Sequence, residues 1–449
     1  VSSGFGYLAF AALAHQRALA EGSGPLAPKP SHHPARAKRV IFLSMDGAPS
    51  HVDTFDPKPQ LAAAHGKTGK YGGPLGAKLM GSPWKFLRSG RSGLEISELF
   101  PNLAAHADEL CVLRGMHTDQ PNHPQAQVQM HTGSFQFVRP SLGAWTLYGL
   151  GTENENLPGF VALNIPAGRA QSFGSAFLPA VYQAARIGAG SRLPRLARGN
   201  GAAPQVPNVD NPRLDRELQR IQLDLVQSLN RDKLARDLHQ PDVEGVIESY
   251  ELAFRMQDEL PKVLDTQGES AETLALYGIG DGSTEAFGRQ CLMARRLVES
   301  GVRFVELSHG NWDHHRNLDQ DLPARCEEID RPIAGLLADL KRRDLLKDTL
   351  VIWAGEFGRT PHSQGSGRDH NHKGYATWMA GGGVKGGFAY GATDDLGYEA
   401  VEGRMHIHDW HATILHLLGL DHERLTFRHA GRDFRLTDIH GTVARDILA

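Results

Sequence analysis

The sequence predicts an α/β fold: a mostly parallel central sheet with helices on both faces and a helical insertion. Three observations carry this reading. Short continuous apolar runs, such as Val40-Ile41-Phe42-Leu43 and Leu350-Val351-Ile352-Trp353, have the pattern of strands buried on both faces. They alternate with helical stretches, the βαβ order of a parallel sheet. Between residues 212 and 265 the hydrophobic period becomes helical and stays so, which marks an insertion between sheet elements.

A chain of 449 residues is long enough for one large α/β domain with insertions. Lys+Arg 48 against Asp+Glu 51 gives a net charge of −3, leaving no basic excess to neutralise phosphates, so nucleic acid is not expected as a partner. Three cysteines without CxxC spacing form no disulfide framework. Histidine is unusual: the 23 residues cluster as His117, His123 and His131; His309, His314 and His315; His362, His370 and His372; and His406, His408 and His411. Imidazole is a common metal ligand, and most clusters stand beside acidic residues.

Taken in order, residues 1–38 form a signal-like segment and linker. The apolar, Ala-rich run at 4–14 is too short to span a bilayer and reads as the core of a secretory signal. It predicts export to the periplasm or cell envelope without a stable membrane span. Pro25, Pro28, Pro30 and Pro34 make residues 21–38 an extended linker. The main domain, 39–449, opens on a strand that ends at Asp46-Gly47. A polar loop with Asp53 and Asp56 follows, then an irregular Gly-rich stretch over 61–85. A helix is expected over 96–107 with Pro101 near its start, then a strand at 110–113. The helix expected over 125–133 stops at Gly133, with Asn122-His123-Pro124 at its N-terminus, where backbone N–H groups favour an anion.

A strand is expected at 159–165 and a loop at 192–211. In the insertion, Leu214, Leu218, Ile221, Leu225 and Leu229 share one helical face and are expected to be core contacts. A helix at 287–299 leads to a strand at 302–307 that runs into Asp313-His314-His315. A helix at 329–340 leads to a strand at 349–354 that runs into Glu356-Phe357-Gly358-Arg359. A loop at 365–372 precedes the strand at 376–380. Gly381, Gly383 and Gly386 match G-x-G-x-x-G, but the residues after them read as strand, which rejects a dinucleotide site. The last helix spans 409–418, with Asp409 at or near its N-cap.

Three strands share one design, an apolar run that ends in acidic or histidine residues. They deliver Asp46, then Asp313 with His315, then Glu356; a fourth segment places Asp369 and His370 just before its strand. In a parallel sheet these C-terminal ends lie at one edge, where ligands bind. Asp46 alone, before a glycine, is a turn residue or helix cap. Together the residues describe a metal crevice, and mixed Asp, Glu and His donors suit zinc, manganese or iron. Two such ions could clamp the attacking and leaving oxygens of a phosphoryl or sulfuryl ester. Arg359 is either an oxyanion contact or an ordinary salt bridge.

The phrases Phe42-Leu43-Ser44-Met45-Asp46-Gly47-Ala48-Pro49-Ser50-His51, Gly355-Glu356-Phe357-Gly358-Arg359-Thr360-Pro361, Ala380-Gly381-Gly382-Gly383 and Asp409-Trp410-His411-Ala412-Thr413 carry a resemblance. The chain resembles the alkaline phosphatase superfamily, including sulfatases and cofactor-independent phosphoglycerate mutases, and most closely the bacterial sulfatase-like family catalogued as domain of unknown function 1501. The resemblance implies an alkaline-phosphatase-like three-layer sandwich and a hydrolase of phosphate or sulfate esters. It implies one or two divalent metal ions (zinc, manganese, iron, magnesium or calcium) and a small-molecule or polysaccharide ester as substrate. Its metal ligands fall on Asp46, Asp313, His315, Glu356 and His370. The N-terminal run resembles a twin-arginine export signal, although it has no arginine pair. At the nucleophile position the family's hydroxyl or thiol is replaced by Asn122-His123, so His123 is a metal ligand, a nitrogen nucleophile or an acid. Thr118 is a fallback nucleophile, and metal-activated water is the expected attacking group. The alternative is a relative that kept the fold and lost catalysis, serving as an exported binding or cell-envelope protein.

Overall fold

The computed structural model describes residues 24–68, 76–166, 168–188, 213–237 and 241–449; the runs at 4–14 and 192–211 lie outside the described residues. The strands that build the site are, in chain order, β1 (Arg39–Met45), β2 (Leu110–His117), β3 (Phe160–Leu163), β4 (Ala185–Ile187), β5 (Phe304–His309) and β6 (Thr349–Ala354). They continue with β7 (Gly358–Gln364), β8 (Gly367–Asn371), β9 (Tyr375–Ala380), β10 (Phe388–Tyr390) and β11 (Met405–His406). The principal helices are α1 (His123–Thr132), α2 (Leu142–Leu150), α3 (Arg216–Asp237), α4 (Pro241–Leu264), α5 (Glu285–Glu299), α6 (Leu318–Arg342) and α7 (Ile407–Leu417).

One nine-stranded sheet organises the chain, in the order β10-β2-β9-β6-β1-β5-β3-β4, with β11 also paired to β2. Its pairings are parallel except those of β9, which runs antiparallel to both β2 and β6. β1 lies at the centre and is buried from Val40 onward, which is why its sequence is continuously apolar. Its side chains alternate between two cores. Ile41, Leu43 and Met45 pack with α5 and α6 on one face, while Val40 and Phe42 pack with α2 and α7 on the other. The result is three layers, helix on sheet on helix, as the sequence predicts.

Several local expectations are corrected. The helix expected over 96–107 is a strand, Leu94–Ser97, followed by a 3₁₀ turn, Leu103–Glu109. Leu94 and Ile96 alternate into the core, and Asp330 of α6 accepts hydrogen bonds from the backbone N–H groups of Asn102 and Leu103, each at 2.8 Å. The loop expected at 365–372 is largely the β7–β8 hairpin. Residues 24–38 are extended but docked: Lys29 N donates to Leu150 O, His32 N to Gly419 O and Ala37 N to Leu417 O. The α3 stripe faces outward, with Leu218, Ile221, Leu225 and Leu229 exposed. The N-cap of α7 is His406, and Asp409 completes a capping box by accepting the His406 N–H.

The His406 neighbourhood gives a pH prediction. Burial and the adjacent His406 lower both His117 and His408 to about 4. The unfolded chain takes up these protons at an ordinary value of about 6.5. Acidification from there towards pH 4 therefore favours unfolding. Urea midpoints are expected to fall over this window, and less steeply in His408→Asn; equal slopes for the two proteins would remove His408 from the account.

Candidate metal centre

The sheet brings five segments to one edge. In register, Ser44 of β1 lies beside Ser308 of β5 and Ala354 of β6, so Asp46, Asp313 and Glu356 all emerge there. β2 runs in the same direction, and the loop after it leads into the N-terminus of α1 with His123. β9 runs the opposite way and so begins at this edge, just after Asp369 and His370 of β8.

The centre of the site is one carboxylate oxygen. Around Asp313 Oδ1 lie Arg359 Nη2 at 2.7 Å, His315 Nε2 at 2.9 Å, His123 Nε2 at 3.2 Å and His370 Nε2 at 3.3 Å. His315 Nε2 and His370 Nε2 are themselves 2.9 Å apart. Donor atoms of His123, Asp313 and His370 form one converging group, and those of His315, Asp369 and His370 form a second. The structure thus brings together His123, Asp313, His315 and His370 and adds Asp369.

Neighbouring acceptors fix the tautomers. His370 Nδ1 lies 2.6 Å from Pro121 O, which can only accept, so Nδ1 carries a proton and Nε2 is the nitrogen left to face the centre. His123 Nδ1 lies 2.5 Å from Glu356 Oε1, which leaves its buried Nε2 facing Asp313. A carboxylate behind a ligating histidine orients the ring and raises its basicity. Three imidazole lone pairs and a carboxylate fit a divalent transition ion. Burial opposes a charge on His123, but Asp313 and Glu356 raise it to about 9. Burial likewise opposes ionisation of Asp313, but His123, His370 and Arg359 hold it well below the usual carboxylate range. A cation taken up here therefore displaces a proton from His123.

Glu356 lies behind His123. It is buried and also accepts from Gly47 N at 3.1 and 3.3 Å. Gly47 has φ of 108°, and a Cβ there would lie 2.8 Å from Asp313 N, so the turn requires glycine. Glu356→Gln is expected to weaken metal binding about 10- to 100-fold in a chelator competition titration. Unchanged affinity would reduce Glu356 to a packing role.

Arg359 is buried, and its donors go to Ala48 O at 2.9 Å, Gly47 O and Asp313. These contacts tie Asp313 to the turn after β1, the arrangement of the salt-bridge reading. Asn122 is the N-cap residue of α1; it is exposed and its side chain caps nothing. Thr118 is buried and donates to Gln129 Oε1 at 3.0 Å. Cys111, Cys291 and Cys326 are buried free thiols.

Asp46 reaches the same edge but has its own set of partners. Its carboxylate accepts from Ser44 Oγ at 3.2 Å, Gln127 Nε2 at 3.3 Å and Ser308 Oγ, and forms an ion pair with Arg169. Among the described residues, Asp46 belongs to neither converging group of donor atoms. Nearby, His131 Nε2 and Glu306 Oε1 form a fully buried pair at 2.6 Å. A charged residue inside the apolar run of β5 was the available sequence signal for Glu306, because buried carboxylates need partners. Arg169, in an irregular segment, left no such signal.

Among curated proteins, no sequence matches the chain. Solved structures with distant similarity include the PsFucS1 sulfatase from Pseudoalteromonas sp., at 14% identity and TM-score 0.37, covering 86% of this chain and 69% of that one. The lipoteichoic acid synthase LtaP from Listeria monocytogenes shares 8% identity at TM-score 0.39, covering 92% and 78% respectively. The alkaline phosphatase from the Antarctic bacterium TAB5 shares 12% identity at TM-score 0.30, covering 79% and 94%. The profile of a family described as protein of unknown function, DUF1501, matches residues 37–448, nearly the whole chain. The chain belongs to the DUF1501 family.

Proposed function

We propose that this protein is an exported, metal-dependent hydrolase of phosphate or sulfate esters, acting on a small-molecule or polysaccharide substrate. The observation that carries the reading is the convergence of three imidazole Nε2 atoms on Asp313 Oδ1, with tautomers set by Pro121 and Glu356. His123, Asp313, His315 and His370 would hold one divalent ion, with Asp369 in reach. When bound, such an ion supplies a Lewis acid and lowers the pKa of water. Nitrogen-rich donors favour zinc, manganese or iron over magnesium or calcium.

The chain's own groups have distinct tasks. Glu356 keeps the proton on His123 Nδ1, and Arg359 fixes Asp313. The exposed N-terminus of α1, at Asn122, offers backbone N–H groups to an anionic ester at the rim. In this reading Asp46, paired with Arg169, acts beside the ion rather than on it, and Arg169 contributes a fixed positive charge there.

Metal analysis of the purified, loaded protein, run with an aryl phosphate, aryl sulfate and phosphodiester screen, tests the reading. About one equivalent of a transition metal and hydrolysis that is lost in His123→Ala are expected; less than about a tenth of an equivalent rejects the site. A second reading, a binding or envelope protein without catalysis, draws on one observation: neither Thr118 nor any cysteine presents a nucleophile to the centre. Stoichiometric metal with no turnover of any ester would favour it.

A further inference from the structure

α3 is packed inside out. Its polar face lies against α4: Arg216 pairs with Asp258, Arg220 pairs with Glu251 at 2.9 Å, and the fully buried Gln227 donates to Ile247 O at 2.7 Å. Its apolar stripe faces away, with Leu218 at 50%, Ile221 at 58%, Leu225 at 63% and Leu229 at 61% exposure. At 100° per residue these four side chains fall within one narrow sector, over about 16 Å of helix. Leaving such a stripe in water forgoes the hydrophobic stabilisation that a covering partner would supply. A contiguous exposed apolar surface of this kind marks an interaction site.

The charge pattern selects the partner. Beside the stripe, Glu217 stands near the start of α3 and Arg231 near its end, while Arg216 and Arg220 turn to α4. We infer that the stripe is covered by a second copy of this chain, with the two α3 helices packed antiparallel about a two-fold axis near Asp224. In that arrangement Leu218 of one copy faces Leu229 of the other, and Ile221 faces Leu225. The same symmetry sets Glu217 against Arg231 on the flank, once on each side of the axis. A parallel pairing would instead set the flank that carries Glu217 and Arg231 against the opposite flank of the other copy, so that these two residues would not pair. Two-fold self-complementary contacts of this kind are the commonest route to a homodimer. A membrane surface fits less well. Acidic and basic residues are nearly balanced along α3, and Arg216 and Arg220 are already committed to α4, whereas interfacial helices present a strongly basic polar face. This inference is independent of the reaction proposed above.

Sedimentation velocity and light scattering on the full chain test it. At micromolar concentration the protein is expected at twice its 49.0 kDa chain mass. Leu225→Glu places two carboxylates close to the axis and is expected to give a monomer. Its circular dichroism and melting temperature should stay unchanged, because the side chain is exposed in the single chain. Glu217→Arg is expected to shift the equilibrium towards monomer, and adding Arg231→Glu in the same chain should restore the dimer. A monomer at every concentration, or a dimer indifferent to Leu225→Glu, overturns the inference. So does a monomer that binds neutral or phosphatidylserine-containing vesicles through the stripe. Failure of the charge swap to restore the dimer overturns the antiparallel pairing.

Discussion

Replacing His370 with alanine is expected to abolish metal binding, taking the loaded protein from about one equivalent to below about a tenth. His370 is the one residue common to both converging donor groups, so its loss breaks each of them. The effect should exceed the roughly 10- to 100-fold expected for an orienting group such as Glu356, because a coordinating atom itself disappears. His372→Ala is the matched control: it lies two residues away and belongs to neither group. Inductively coupled plasma mass spectrometry on the two variants, with ester hydrolysis alongside, gives the comparison. If His370→Ala retains metal while His372→Ala loses it, the centre has been misassigned.

Replacing Arg368 with methionine is expected to destabilise the fold by about 3–5 kcal/mol, the usual cost of leaving one member of a buried ion pair alone. Arg368 and Asp53 are both fully buried and meet in a two-pronged contact, Nε to Oδ2 at 2.7 Å and Nη2 to Oδ1 at 3.0 Å. Ser50 Oγ adds a hydrogen bond to Asp53 at 2.5 Å. The methionine variant strands the Asp53 carboxylate, whereas Arg368→Lys keeps the charge but loses the fork and should fall between the two. Because the β7–β8 hairpin carries both Arg359 and His370, metal affinity should fall together with the urea midpoint. A stability within about 0.5 kcal/mol of the parent would show that water reaches this pair.

Much of the architecture was legible because burial on two faces leaves a plain signature. β1, β5, β6 and β9 are short apolar runs, and their alternation with α5 and α6 predicted a mostly parallel sheet. The same logic placed Asp46, Asp313 and Glu356 at one edge, since parallel strands share the direction of their C-terminal ends. His370 joined them for a reason the alternation alone did not contain: β9 is antiparallel, so the residues before it, rather than after it, reach that edge. The errors lay where a distant group decides local structure. The turn at Leu103–Glu109 is held by Asp330, and the β7–β8 hairpin by Asp53, neither of which is near in sequence.

The sequence by itself determined the fold class, the edge of the sheet where the candidate ligands gather, and most of the residue types found there. Period and apolar run length report burial, and burial follows from the hydrophobic effect acting residue by residue. Only the tertiary structure decided how those residues divide their tasks. His123 joins the converging donors with Glu356 behind it, Arg359 clamps Asp313, and Arg169 takes the charge of Asp46. These assignments depend on hydrogen-bond direction and on ångström-scale distances between segments that meet only when the sheet is formed. The same holds for α3: its leucine stripe follows from the sequence, but that it faces away from the rest of the chain follows from which charged residues found partners on α4.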